Sequence, residues 1–209
     1  MRVILVIVFA VVCLAGLGCV THITPPETVA EPATVYLVDY GYHSSLILPG
    51  ALSGPAAGAA AGGGERELLE FTFGQHDWYA RNMDDWWRAP LVMLFPAQAC
   101  LGRRELAGAV ANASSGGAGP TARMLGAEEV HAITVESACA ATLLHRLEMR
   151  WADGSAGALE NPNVGMTFVT DPDDYWLFYN CNAAVAAWLR ETGCRVGGLV
   201  VGSRWKVAR

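Results

Sequence analysis

A cysteine and a histidine with complementary proton chemistry stand far apart in this chain, each in a setting that suits catalysis. Cys181 lies in Tyr179-Asn180-Cys181-Asn182-Ala183-Ala184-Val185-Ala186-Ala187-Trp188-Leu189. The apolar spacing there predicts an amphipathic helix over 181–192, with Asn180 as N-cap and Gly193 as C-terminal stop. A thiol in the first helical turn meets unpaired backbone N–H groups and the positive end of the helix dipole, which favour its thiolate. A thiolate nucleophile also needs a base to move its proton. His43, in Gly41-Tyr42-His43-Ser44-Ser45 at the start of a predicted strand, is the candidate base. The competing readings are structural: Cys181 as a small buried hydrophobe or as half of a disulfide with Cys194, and His43 as a packed ring.

A His on an early strand followed, late in the chain, by Asn-Cys opening a helix resembles the circularly permuted papain-like hydrolases. That group includes lecithin retinol acyltransferase-like proteins and permuted deubiquitinase-like domains, with related bacterial cell-wall peptidases in the unpermuted order. Asn180-Cys181-Asn182 with Leu189 is similar to their Asn-Cys helix opening, and Tyr42-His43-Ser44-Ser45 to their strand-borne His. From about Val35 onward the chain also resembles an uncharacterised family of small bacterial exported proteins. The shared pieces are Gly41-Tyr42-His43, Glu70-Phe71-Thr72-Phe73-Gly74-Gln75-His76-Asp77-Trp78-Tyr79 and Cys181-Asn182. The chain departs from that pattern at Gln75, where an acid is expected, and in the alanines after Asn182, where a bulkier residue is usual.

The resemblance implies an α+β fold of papain-like, circularly permuted type, with a small antiparallel sheet packed on helices. It implies a cysteine hydrolase or acyltransferase acting on an amide, ester or thioester, with Cys181 as nucleophile and His43 as base and then acid. A third polar group should orient the imidazole and fix its tautomer. The resemblance puts it on the strand after the His or at that strand's exit, where Glu70 and Gln75 rank first, then His76, with Asp77 beside them. Each has a structural alternative: a solvated strand face for Glu70, a surface position for His76, a helix cap for Asp77.

These groups need elements to position them. Residues 35–38, 44–48, 68–73 and 130–135 read as strands, with a further short one over 166–169 inside a long loop, 153–172. Residues 138–151 read as a helix capped by Ser137, and 77–87 as a short helix with an aromatic face. Two Ala/Gly/Ser-rich stretches, 50–64 and 112–120, read as surface loops. Strands and helices in no regular alternation point to α+β.

The length, 209 residues, suits one domain over 34–209 after a leader, 1–19, and a linker, 20–33. Residues 3–17 are uncharged and follow Arg2, which is h-region length and short of the roughly 20 residues of a membrane span. Gly18-Cys19 then offers a lipidation site at Cys19; an uncleaved anchor and an ordinary cleaved signal remain the alternatives. Each exports the domain, so the expected location is the bacterial cell envelope, tethered on the periplasmic side. Peptidoglycan peptide or lipid acyl groups are then the expected substrates. A net charge of −6 without a basic cluster argues against nucleic acid.

Cys100, Cys139, Cys181 and Cys194 could form two disulfides, or one with free thiols left over. No Cys-x-x-Cys, His-Glu-x-x-His, phosphate loop or Gly-x-Ser-x-Gly occurs, so no cofactor is implied. Asp171-Pro172-Asp173-Asp174 lacks the spacing of an EF-hand and reads as a solvated turn. Asp84-Asp85-Trp86-Trp87 reads as groove or core. Two rivals to a thiol enzyme stand: a non-catalytic binding or structural lipoprotein, and a metal enzyme using His43 and His76 with a carboxylate.

Overall fold

The computed structural model describes residues 20–53, 68–83, 89–106 and 119–208. The predicted leader with Cys13 and Cys19, most of the 50–64 loop and Asp84-Asp85-Trp86-Trp87 lie outside them. The strands are β1 (Thr21–Thr24), β2 (Pro32–Asp39), β3 (Ser44–Pro49), β4 (Leu68–Gln75), β5 (Ala97–Glu105), β6 (Glu129–Glu136), β7 (Leu159–Asn161), β8 (Met166–Tyr175), β9 (Arg195–Gly197) and β10 (Trp205–Val207). The helices are α1 (His76–Tyr79), α2 (Ala89–Leu94), α3 (Ala122–Leu125), α4 (Ser137–Gly154) and α5 (Cys181–Glu191).

Seven strands form one sheet in the order β6-β2-β3-β4-β5-β8-β7, every neighbouring pair antiparallel, and β10-β1-β9 form a smaller one. The fold is α+β. Side chains alternate across a strand, so β3 and β4 sort their residues by parity. Leu46, Leu48, Leu69, Phe71 and Phe73 face the main core, where α4 supplies Leu143, Leu144 and Leu147 and α5 supplies Val185, Trp188 and Leu189. Each large side chain so buried contributes about 1.5–3 kcal/mol. The opposite face carries Ser45, Ile47, Glu70 and Thr72, all buried. β4 is buried along its whole length, as a central strand must be.

Several elements differ from expectation. Thr21–Thr24, inside the expected linker, is β1 and sends Ile23 into the core. β5 is central yet has no strand signal, because Gly102-Arg103-Arg104 breaks its apolar run. A Cβ at Gly102 would come within 2.6 Å of both Thr72 Cγ2 and Phe168, so the strand accepts glycine to let its two neighbours close over it. α4 begins at Ser137 with Glu136 as N-cap, and no side chain caps it. The Glu136 carboxylate instead accepts from the backbone N–H of Ala30 at 2.8 Å and Glu31 at 3.0 Å, pinning the segment before β2. Asp171 and Asp173 are not a free turn: both bind Arg150 at 2.6 Å, tying β8 to α4.

Candidate functional site

Between β2 and β3 the chain turns tightly, with the Tyr40 N–H donating to the His43 carbonyl at 2.8 Å. Asp39 accepts from Gly41 N–H at 2.7 Å, and Ser203 donates to the Gly41 carbonyl. The turn throws Tyr42 outward, 91% exposed, and lays the half-buried His43 against β4.

Both ring nitrogens of His43 meet hydroxyls. Nε2 bonds Thr72 Oγ1, and Nδ1 lies 3.0 Å from Tyr79 Oη. Thr72 directs its own proton toward the Ser44 carbonyl, 3.5 Å away. With its proton so directed, Thr72 is free to accept from Nε2–H, and the donor and acceptor roles at both ring nitrogens follow the tautomer. Burial pushes the imidazole down to about 4, so the ring is neutral.

Tyr79 is held in place from several sides. Its ring lies on Gly74, where a Cβ would sit 2.3 Å away, and its centroid is 4.7 Å from that of His43. Asn161 donates to its carbonyl at 2.6 Å.

Cys181 opens α5 as the sequence predicts, and it is buried, as the competing structural reading has it. Asn180 caps the helix by accepting from Ala183 N–H at 3.0 Å, and its amide donates to the Leu177 and Val201 carbonyls at 3.1 and 3.2 Å. The helix ends at Glu191, and Gly193 follows with φ +88°. The sulfur lies 4.0 Å from the Tyr42 carbonyl, next to the turn that carries His43. The expected thiolate is not the resting form: burial pushes the thiol up to about 11. The N–H groups of Ser44, Asn182 and Cys181 and the Tyr175 hydroxyl pull the other way. The helix start thus favours the thiolate in kind, and desolvation outweighs it.

Asn182 links helix to turn. Its oxygen accepts from Ser44 Oγ at 2.8 Å, and Trp205 Nε1 donates to that same Oγ at 2.7 Å.

The residues proposed for the third position fall elsewhere. Glu70 is buried, not solvated: its carboxylate takes Arg104 at 2.6 Å, the Tyr40 hydroxyl at 2.7 Å and Ser45 Oγ. Those bonds engage both carboxylate oxygens, and none of them goes to His43. Gln75 Oε1 caps α1 by accepting from Trp78 N–H at 2.6 Å. His76 lies 3.5 Å from the Asp77 carboxylate, and Asp77 also faces Arg81 at 3.6 Å. Thr72 is the β4 residue that meets the His43 ring. Sequence reasoning passed over it because a threonine on a strand is ordinary; its alternation with Glu70 and Phe71 was the one available signal. Tyr79 ends the segment 70–79 on which the resemblance rests, which implies no role for it.

The described cysteines, Cys100, Cys139, Cys181 and Cys194, are all free, so no bridge to Cys194 is formed. Among the described residues no group of three or more His, Cys, Asp or Glu converges as a metal site. Two cavities flank Tyr79. One, of about 370 Å³, is lined by Tyr42, Gln75, Trp78, Tyr175, Cys181 and Asn182; the other, of about 410 Å³, by Tyr40, His43, Thr72, Leu125, Met166 and Phe168. Comparison with protein families, curated proteins and solved structures returned no match.

Proposed function

We propose that this chain is a thiol hydrolase or acyltransferase of permuted papain-like type, acting on an amide, ester or thioester. One observation carries the reading: Cys181 opens a helix beside the turn that bears His43, and Tyr79 borders both side chains' cavities. At rest both groups are neutral, which suits a reaction that creates charge only when a carbonyl arrives.

In this mechanism the Cys181 S–H bond breaks as sulfur attacks the acyl carbon. The thiol proton passes to His43 Nδ1 through the Tyr79 hydroxyl, with Thr72 holding the opposite nitrogen. The oxyanion would take the Cys181 backbone N–H and the Gln75 amide nitrogen, which has no protein partner among the described residues. His43 then returns the proton to the leaving group, and water or another nucleophile releases the acyl-enzyme.

The leader over 1–19 would tether the domain to the membrane, by lipid on Cys19 or as an anchor. Envelope peptides or lipid acyl groups would then be the substrates. The test is labelling with an acyl-type thiol probe. Cys181 should be acylated faster than Cys100 or Cys139, and His43→Ala should cancel the difference. Equal rates in the unaltered protein would sink the reading.

A non-catalytic binding domain is the second reading, favoured by the engagement of both His43 nitrogens. It predicts no thiol-dependent ester turnover and no change on Cys181→Ala.

A further inference from the structure

β1 is paired on both sides from Thr21 onward, so the fold begins directly after Val20 with no slack chain before it. The uncharged run over 3–17 and Cys19 both end within three residues of Val20. Three residues reach about 10 Å even when fully extended. With the tether proposed above, on which this inference rests, the membrane is therefore held against the part of the fold around Val20.

Three segments are joined there. A Cβ on Gly198 would lie 2.8 Å from the Val20 carbonyl oxygen, so residues 196–203 run beside the entry point. Ser203 donates to the Gly41 carbonyl, which links that segment to the turn bearing His43. The amides of Asn180 and Asn182 donate to the Val201 carbonyl at 3.2 and 3.3 Å, which links it to the start of α5. Tyr42, Asn180 and Val201, drawn from all three segments, line the cavity that holds Cys181.

Residues 40–45, 175–182 and 196–203 contain no Asp, Glu, Lys or Arg. They nevertheless leave Tyr42, Trp176, Phe178 and Leu199 exposed. The Trp176 and Phe178 rings meet edge to face, with centroids 5.1 Å apart. Arg204, exposed, accepts the Thr21 N–H at its carbonyl at 2.8 Å, and exposed Lys206 follows on β10.

We infer that these three segments form the face by which the domain lies on a lipid bilayer. Tyr and Trp rings suit the headgroup layer, and Phe178 and Leu199 suit the acyl boundary beneath it. Arg204 and Lys206 meet anionic headgroups at the edge of the patch. Among the described residues no helix is long and apolar enough to cross a membrane, so the contact is interfacial. The tether keeps a bilayer within reach of this face, which a second copy or another protein would have to displace.

The test places the full chain in vesicles of phosphatidylcholine with about 30% phosphatidylglycerol. Phe178→Cys and Leu199→Cys, on two separate segments, are labelled with the fluorophore NBD. Val164→Cys is the control: exposed Val164 lies past the far end of β8, whose length sets it roughly 30 Å from the Tyr175 end. The unaltered chain, treated alike, is the blank. Lipid carrying a nitroxide high on its acyl chain should quench the labels at 178 and 199 about twofold or more and spare the label at 164.

Equal quenching at all three positions, or more at 164, would overturn the face. So would blue-shifted emission at 178 and 199 without quenching, which marks a protein occupant, a second copy included. Absence of quenching at both while the chain still floats with the vesicles overturns the face and leaves the tether standing. A chain that does not float overturns both. Acylation of Cys181, which tests the thiol reading, is read separately from all of these.

Discussion

His43 sits between two hydroxyls, one at each ring nitrogen. In the proposed mechanism Thr72 accepts from Nε2–H, which presents the Nδ1 lone pair to Tyr79. Thr72→Val keeps the shape and removes the acceptor. Ester turnover should then show kcat lower by about 10–100-fold with KM little changed, and Thr72→Ser should restore most of it. Burial sets the sign of the pH dependence. His43 titrates near 6.5 when unfolded and is pushed down to about 4 when folded. Its contribution to stability is therefore present above 6.5 and lost as pH falls from 6.5 through 4. Urea midpoints across that window should fall less steeply in His43→Gln. Cys181, raised from 9.0 to about 11, acts in the other direction, and its contribution is lost as pH rises from 9 through 11.

At the scale of elements, the site depends on close approach between backbone and ring. Gly74→Ala would drive a methyl group to within 2.3 Å of Tyr79. The expected cost is about 1–3 kcal/mol by chemical denaturation, together with slower acylation of Cys181 because the ring is displaced. Asn180→Ala removes the helix cap and the amide's bonds to the Leu177 and Val201 carbonyls, and should cost about 1–2 kcal/mol in the same assay. What was legible followed from local pattern. α5 with its cap, the strands around His43, and β4 each carry periodicity or turn residues that act over a few positions. Thr72 was not legible as a partner, because its role arises from pairing beside Ser45 and from the space at Gly102, both set by other strands. β5 was missed for a related reason: its glycine and arginines satisfy the neighbouring strands and the Glu70 pair, not an alternating pattern of their own. The thiolate expectation failed because dipole and N–H effects can be read locally, while desolvation depends on the assembled core.

Across the whole molecule, the short sheet joins distant parts of the chain. β1 pairs with β10 in parallel and with β9 antiparallel, and Ile23 inserts into the same core as Leu144 and Leu189. Ile23→Ala should cost about 2–4 kcal/mol, measured by thermal or urea unfolding, despite lying in a stretch that reads as a linker. Closure of that sheet also brings Trp205 to Ser44, and Ser44 holds Asn182. During synthesis a ribosome that has reached Gly197 has not yet delivered the indole that latches helix to turn. A nascent chain at that point therefore lacks the bond from Trp205 to Ser44, and the hydroxyl that meets Asn182 gains its indole donor when β10 emerges.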